Sequence, residues 1–95
     1  MINHILLYRF KPGVDRIDEH LRVISRFEGR TKGLVALRFG RNICERSSGK
    51  YTHGFVMTFE DKLCLQAYRK SPAHNDLVNR FKDDIEEKLA IDLEA

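Results

Sequence analysis

The stretch "INHILLYRFK", residues 2–11, constrains this chain most, because it carries apolar side chains on both of its faces. Read as a strand, it places His4, Leu6, Tyr8 and Phe10 on one side, and Ile5 and Leu7 on the other. "THGFVMTFE", residues 52–60, has the same character: His53, Phe55, Met57 and Phe59 share one face, and Val56 and Thr58 lie opposite. An antiparallel strand with one face in water alternates cleanly between apolar and polar. These two strands do not, so both sides of the sheet that holds them need cover.

The rest of the chain supplies cover for one side only. Pro12-Gly13 breaks the first strand, and Val14, Ile17, Leu21, Ile24 and Phe27 then follow at helical intervals. Asp15, Asp18 and Glu19 sit near the start of that helix, where its dipole favours them. His20 falls on the flank of the stripe and is expected to be half-exposed and structural. Gly29 and Gly33 bracket the exit. "LVALRFGRNIC", residues 34–44, reads as a second strand with Val35, Leu37 and Phe39 alternating and Gly40 at a bulge or close backbone approach. After the polar loop "ERSSGKY" and the third strand, "DKLCLQAYRK" is a short helix capped by Asp61. Ser71-Pro72 ends it and opens another helix, with Leu77, Val78, Phe81 and Ile85 as its apolar stripe. "KLAIDLE" closes the chain as a strand in which Leu89, Ile91 and Leu93 alternate.

The order is β-α-β-β-α-β, the α+β, ferredoxin-like arrangement of a four-stranded antiparallel sheet with helices on one face. At 95 residues the chain forms one domain, residues 1–95, with a limited core. The simplest cover for the second face is another copy of the same chain, packed sheet to sheet about a two-fold axis, so a homodimer is expected. The 17 Lys and Arg are matched by 14 Asp and Glu scattered along the chain. That balance describes a solvated mixed-charge surface, and no nucleic-acid partner is expected. "MINHILLYRFKPG" lacks the pattern of a secretion signal, and no apolar run approaches the roughly 18–20 residues needed to cross a bilayer. The expectation is a cytoplasmic protein without a membrane partner, holding Cys44 and Cys64 as free thiols.

The chemistry-bearing stretch is "QAYRKSPAHNDLVNRF", residues 66–81. With Ser71 as N-cap and Pro72 at the first helical position, His74 takes the third. The positive end of the helix dipole disfavours an imidazolium there, and burial acts in the same direction. A histidine kept neutral at pH 7 is suited to act as a general base. Tyr68, six residues earlier, would reach the same cavity if the helices bend between them, and a phenol there can support a carbonyl or enolate oxygen. The bland reading is an ordinary first-turn histidine beside a core tyrosine with a wet hydroxyl. His4 and His53 open strands that are antiparallel neighbours in this topology, which places them at opposite ends of the pair and weakens a shared metal site. No HxxxH or close His/Cys pair occurs, so neither metal nor cofactor is expected. Ser47 and Ser48 lie in a polar loop without the context of a nucleophile elbow.

Four segments together, "HILLYRFK", "YTHGFVMTFE", "LQAYRKSPAHNDLV" and "IDLE", resemble the stress-responsive A/B barrel (Dabb) family over nearly the whole chain. The combination of Pro72-Ala73-His74 with Thr52-His53-Gly54-Phe55 carries the resemblance. It implies a dimeric α/β barrel. The family is functionally mixed, spanning stress-linked proteins without a clear reaction and enzymes that use no cofactor. One enzymatic branch, the olivetolic acid cyclases, closes a polyketide by aldol chemistry with a histidine base and a tyrosine partner. The distant similarity to that branch implies His74 and Tyr68 in those roles and His4 and His53 as further pocket histidines. It also implies a substrate pocket between sheet and helices, lined by Leu6, Tyr8, Phe55, Met57 and Phe81. Many relatives carry a histidine where this chain has Ser71, and the helices resemble the cyclases only loosely, so the substrate does not transfer. Two expectations follow. One is a cofactor-independent enzyme of cyclase, lyase or isomerase type, in which His74 moves a proton on a carbonyl-bearing small molecule. The other is a non-catalytic small-molecule-binding or stress-response barrel. Monooxygenase chemistry, known in the wider superfamily, has no residue here that speaks for it.

Overall fold

A computed structural model describes all residues, 1–95. Its elements are β1 (Ile2–Phe10), α1 (Ile17–Ser25), β2 (Leu34–Arg41), β3 (His53–Phe59), α2 (Lys62–Lys70), α3 (Pro72–Phe81), a single 3-10 turn (Lys82–Asp84) and β4 (Ile85–Glu94). The strands form one antiparallel sheet in the order β2-β3-β1-β4. This is the ferredoxin-like α+β fold expected from the element order.

The registers fix what faces what. Along β1 and β3, His4 pairs with Met57, Leu6 with Phe55 and Tyr8 with His53. His4 and His53 therefore do lie at opposite ends of the strand pair. Along β1 and β4, His4 pairs with Asp92, Leu6 with Ala90 and Tyr8 with Lys88. The helix-covered face holds the core, in which Tyr8, Ile24, Met57, Phe59 and Phe81 are the largest fully buried side chains. On the other face Ile5 pairs with both Val56 and Ile91, and Leu7 with Leu89. No helix of this chain covers that side: Val56, Leu89, Ile91 and Leu93 are 37–48% exposed.

Several local expectations change, and Ile85, expected on the last helix, opens β4 instead. The first helix begins at Ile17 rather than at Val14, and its buried residues are His20 and Ile24. The intervals 17, 20, 24, 27 are as regular as 17, 21, 24, 27, and the helix turns the first set inward. His20 is thus 4% exposed, not half-exposed. In β2 the pairing slips between Leu34 and Ala36, at Val35, which is exposed; Phe39 keeps phase with buried Leu37 and pairs with Phe55, yet is also exposed on this edge strand. Gly40 approaches nothing within 4 Å, and the irregularity lies earlier in the strand. The exit from α1 turns on Gly33, whose φ of +77° puts it in the left-handed region and whose missing side chain leaves room for Cys64.

Candidate active site

The corner between α2 and α3 positions the site. The Asp61 carboxylate accepts from the Cys64 amide at 2.8 Å and starts α2. Ser71 closes that helix and opens the next: its hydroxyl donates to the Tyr68 carbonyl at 2.7 Å and accepts from the His74 amide at 3.1 Å. Pro72 occupies the first turn of α3, where its missing N–H costs nothing. The chain bends there without a cis peptide or a strained residue. The bend swings the His74 ring to 4.8 Å from the Tyr68 ring, edge to face.

Both rings line a cavity of about 280 Å³ between the sheet and the helices. His4, Leu6, Phe55 and Phe81 line it too, with His20, Arg69, Leu77, Val78, Lys88 and Ala90. Most of the predicted pocket is therefore gathered in one place. Three members are not. Tyr8 and Met57 are fully buried in the core beneath it, and His53 sits at the far end of the sheet opposite Tyr8. The His53 ring instead stacks on Tyr8 at 6.1 Å and bonds through Nδ1 to the Thr52 hydroxyl at 2.9 Å. Alternation places these residues on the correct face, but the helices cover that face unevenly. A wider hollow of about 380 Å³ involves Ile5, Leu7 and Val56 of the uncovered side of the sheet.

His74 has a defined tautomer. Its Nδ1 lies 3.0 Å from the Arg69 carbonyl oxygen. A carbonyl only accepts, so Nδ1 carries the proton, and neutral His74 has its lone pair on Nε2. Burial lowers its pKa from the ordinary histidine value; the bond to Arg69 opposes this, and the charges of His4, Lys88 and Arg69 add to the lowering. Tyr68 is buried, and burial pushes its phenol well above the usual tyrosine range, against a small opposing effect of Arg69. At neutral pH the pair is an unprotonated base beside a protonated phenol.

His4 is held by a carboxylate on the neighbouring strand. Its Nδ1 donates to Asp92 Oδ1 at 2.6 Å, and the other Asp92 oxygen accepts from Arg69 Nη2. Desolvation pushes the Asp92 carboxyl up, but the bonds from His4 and Arg69 outweigh it and hold the group below the ordinary carboxylate range. Arg69 thus serves both imidazoles, through its guanidinium toward Asp92 and His4 and through its carbonyl toward His74. The His4 ring lies 6.2 Å from Tyr68. Asp92, Arg69 and Lys88 escape a reading of the sequence. The signal that could find Asp92 and Lys88 is the β1–β4 register, which sets Asp92 opposite His4 and Lys88 opposite Tyr8; Arg69 comes from α2, next to Tyr68.

His20, on α1, also lines the cavity. Burial, with a smaller contribution from His53 and against a weak pull from Asp84, brings its pKa down to about 4. No cluster of three or more His, Cys, Asp or Glu side chains is arranged to hold a metal ion. No helix is long and apolar enough to cross a membrane.

Comparison with known proteins places this geometry. The family model of the stress responsive A/B barrel domain matches residues 2–95. The stress-response A/B barrel domain-containing protein HS1 of Arabidopsis thaliana is 30% identical over 94 residues, covering 96% of this chain and 86% of HS1. A crystal structure of an Arabidopsis thaliana protein superposes with a TM-score of 0.89 at 28% identity, covering 100% of this chain and 95% of that one. A dimeric ferredoxin-like protein of unknown function from Jannaschia sp. CCS1 gives 0.86 at 28% identity, over 99% and 98% of the two chains. The hydroxynitrile lyase of Passiflora edulis shares the fold, with a TM-score of 0.85 at 15% identity over 97% and 90%. The chain belongs to the stress responsive A/B barrel domain family.

Proposed function

We propose that this protein is a small-molecule enzyme that works with its own side chains and uses His74 to move a proton on a carbonyl-bearing substrate. The observation that carries this reading is the bond from His74 Nδ1 to the Arg69 carbonyl, which leaves Nε2 as the acceptor beside the Tyr68 phenol. His74 Nε2 takes a proton from the carbon next to the carbonyl. The C–H electrons move into the carbon–carbon bond, and the carbonyl oxygen becomes an enolate oxygen that accepts a hydrogen bond from Tyr68. The imidazolium then returns the proton to carbon or oxygen. Ring closure by aldol addition, cleavage of a carbon–carbon bond and isomerisation share this proton logic. A positioned base of this kind contributes roughly 10²–10⁴ in rate. The lyase from Passiflora edulis shows that the fold carries an enzyme.

The active form in this reading is a homodimer joined through the uncovered sheet face. Support comes from the half-exposed Leu89, Ile91 and Leu93 and from the Jannaschia structure, which is described as dimeric. Light scattering should give twice the 11.1 kDa chain mass, and Ile91→Asp should return it to one chain.

The functional test is hydrogen–deuterium exchange at the carbon beside the carbonyl, followed by NMR across a panel of small ketones and aldehydes in D₂O. The wild type should accelerate exchange of at least one compound, His74→Gln should lose about 10²–10⁴ of that rate, and Tyr68→Phe should lose less. Binding without exchange by the wild type would overturn the enzyme reading in favour of a small-molecule-binding protein; HS1 is described as a stress-response A/B barrel domain-containing protein.

A further inference from the structure

We propose that His20 is a second polar anchor of the cavity, and that the ligand carries a hydroxyl or carbonyl group at the end remote from His74. The inference rests on the cavity being a small-molecule site, as argued above, and adds the class of molecule that fits it. Neither ring nitrogen of His20 has a hydrogen-bond partner, although both are buried. Buried polar groups in folded proteins are almost always paired, and an unpaired one calls for a missing partner. The surrounding groups do not supply one. The ring meets the Phe81 ring at 4.4 Å and the Tyr8 and Phe10 rings at 5.2 Å, all edge to face. The buried Tyr8 hydroxyl is likewise unpartnered.

The cavity is polar at both ends and apolar between them. Tyr68 and His74 stand over the His4 end of β1, while His20 packs on Tyr8, four residues along the strand, or about 13 Å at the rise of a strand. Leu6, Phe55 and Leu77 line the interval. A molecule with one aromatic ring or a short chain between two polar groups matches that pattern. Its carbonyl lies by His74 and its second group by His20. Neutral imidazole both donates and accepts, so a hydroxyl or a carbonyl serves equally. A charged carboxylate would be drawn to Lys88 instead, the exposed cation opposite Tyr8 in register.

Paired probes test this: acetophenone and 4-hydroxyacetophenone, titrated by NMR against the wild type, His20→Phe, Lys88→Met and His74→Gln. The wild type should bind the hydroxylated probe about tenfold more tightly, the effect of one hydrogen bond to an otherwise unpaired buried group. The preference should vanish in His20→Phe and persist in the other two variants. Should His20→Phe fail to fold, the wild type labelled with ¹⁵N-histidine still decides. The His20 nitrogen resonances should move with 4-hydroxyacetophenone and stay in place with acetophenone. Equal affinity for the two probes, no binding of either, or a preference that disappears with Lys88 rather than His20 would overturn the proposal. A retained preference without deuterium exchange would leave this anchor standing and remove only the enzyme reading.

Discussion

His74 and His20 line one cavity and are built in opposite ways. His74 is tethered by its Nδ1 to a main-chain carbonyl, and its neighbour His4 is tethered to Asp92. His20 is tethered to nothing. A tethered imidazole has one tautomer and one orientation, which a proton-transferring group needs before substrate arrives. An untethered, buried imidazole has neither and weakens the fold until something meets it. Burial alone therefore does not fix the state of a histidine; what its second nitrogen meets fixes the tautomer.

Acid titration gives the largest expected contrast. His20 has a folded pKa of about 4 against the ordinary 6.5, so between those values the unfolded chain binds more protons and stability rises with pH. Acidifying from pH 6.5 toward 4 should remove up to about 3 kcal/mol through this group, with no further loss from it below pH 4. Urea denaturation at pH 7 and pH 4.5 should therefore show a smaller pH effect in His20→Phe than in the wild type; an unchanged pH effect would mean that His20 is not the group that titrates. Asp92 has the same sign and an adjacent, more acidic window. Its folded pKa is depressed, so its stabilisation is complete above the ordinary carboxylate value and is lost only as pH falls below it.

A smaller effect is expected at the tether of His4. Asp92→Asn should cost about 1.5 kcal/mol at pH 7, the scale of a hydrogen bond to a charged group. It should also loosen the His4 tautomer, visible in its ¹⁵N shifts, while leaving that of His74 intact. A matching change at His74 would mean that Arg69 couples the two rings more tightly than its separate bonds suggest. The smallest effect belongs to the joint. Ser71→Ala removes one cap and should cost about 1 kcal/mol in chemical denaturation. Activity lost out of proportion to that cost would show that the cap orients His74 as well as starting its helix.

The sequence makes His74 legible because its determinants are local. A cap, a first-turn proline and a tyrosine before the break all lie within seven residues, 68–74. The two-sided apolar pattern of "INHILLYRF" makes the uncovered face legible in the same way. Asp92 is not legible, since it lies 88 residues from the histidine it holds and reads as one polar position of an alternating strand. Only the β1–β4 register brings it to the site. His20 is misread for a different reason. Two helical phases fit equally well, and hydropathy favours Leu21, whereas the helix commits the face with histidine to the interior. Val35 loses its expected burial at a slip in the β2 pairing, whereas Phe39 keeps its expected phase and is exposed because β2 is the edge strand of the sheet.

The corner at Ser71 also bears on how such a chain can change over generations. One oxygen atom joins the end of α2 to the beginning of α3, and the Tyr68 and His74 rings meet across it. Each residue inserted or deleted inside either helix turn would rotate one ring away from the other by roughly 100°. The loop at 42–52, which carries neither ring, has no such constraint. Length variation should therefore gather in that loop and be purged from the six-residue spacing, even where the identities of the intervening residues drift.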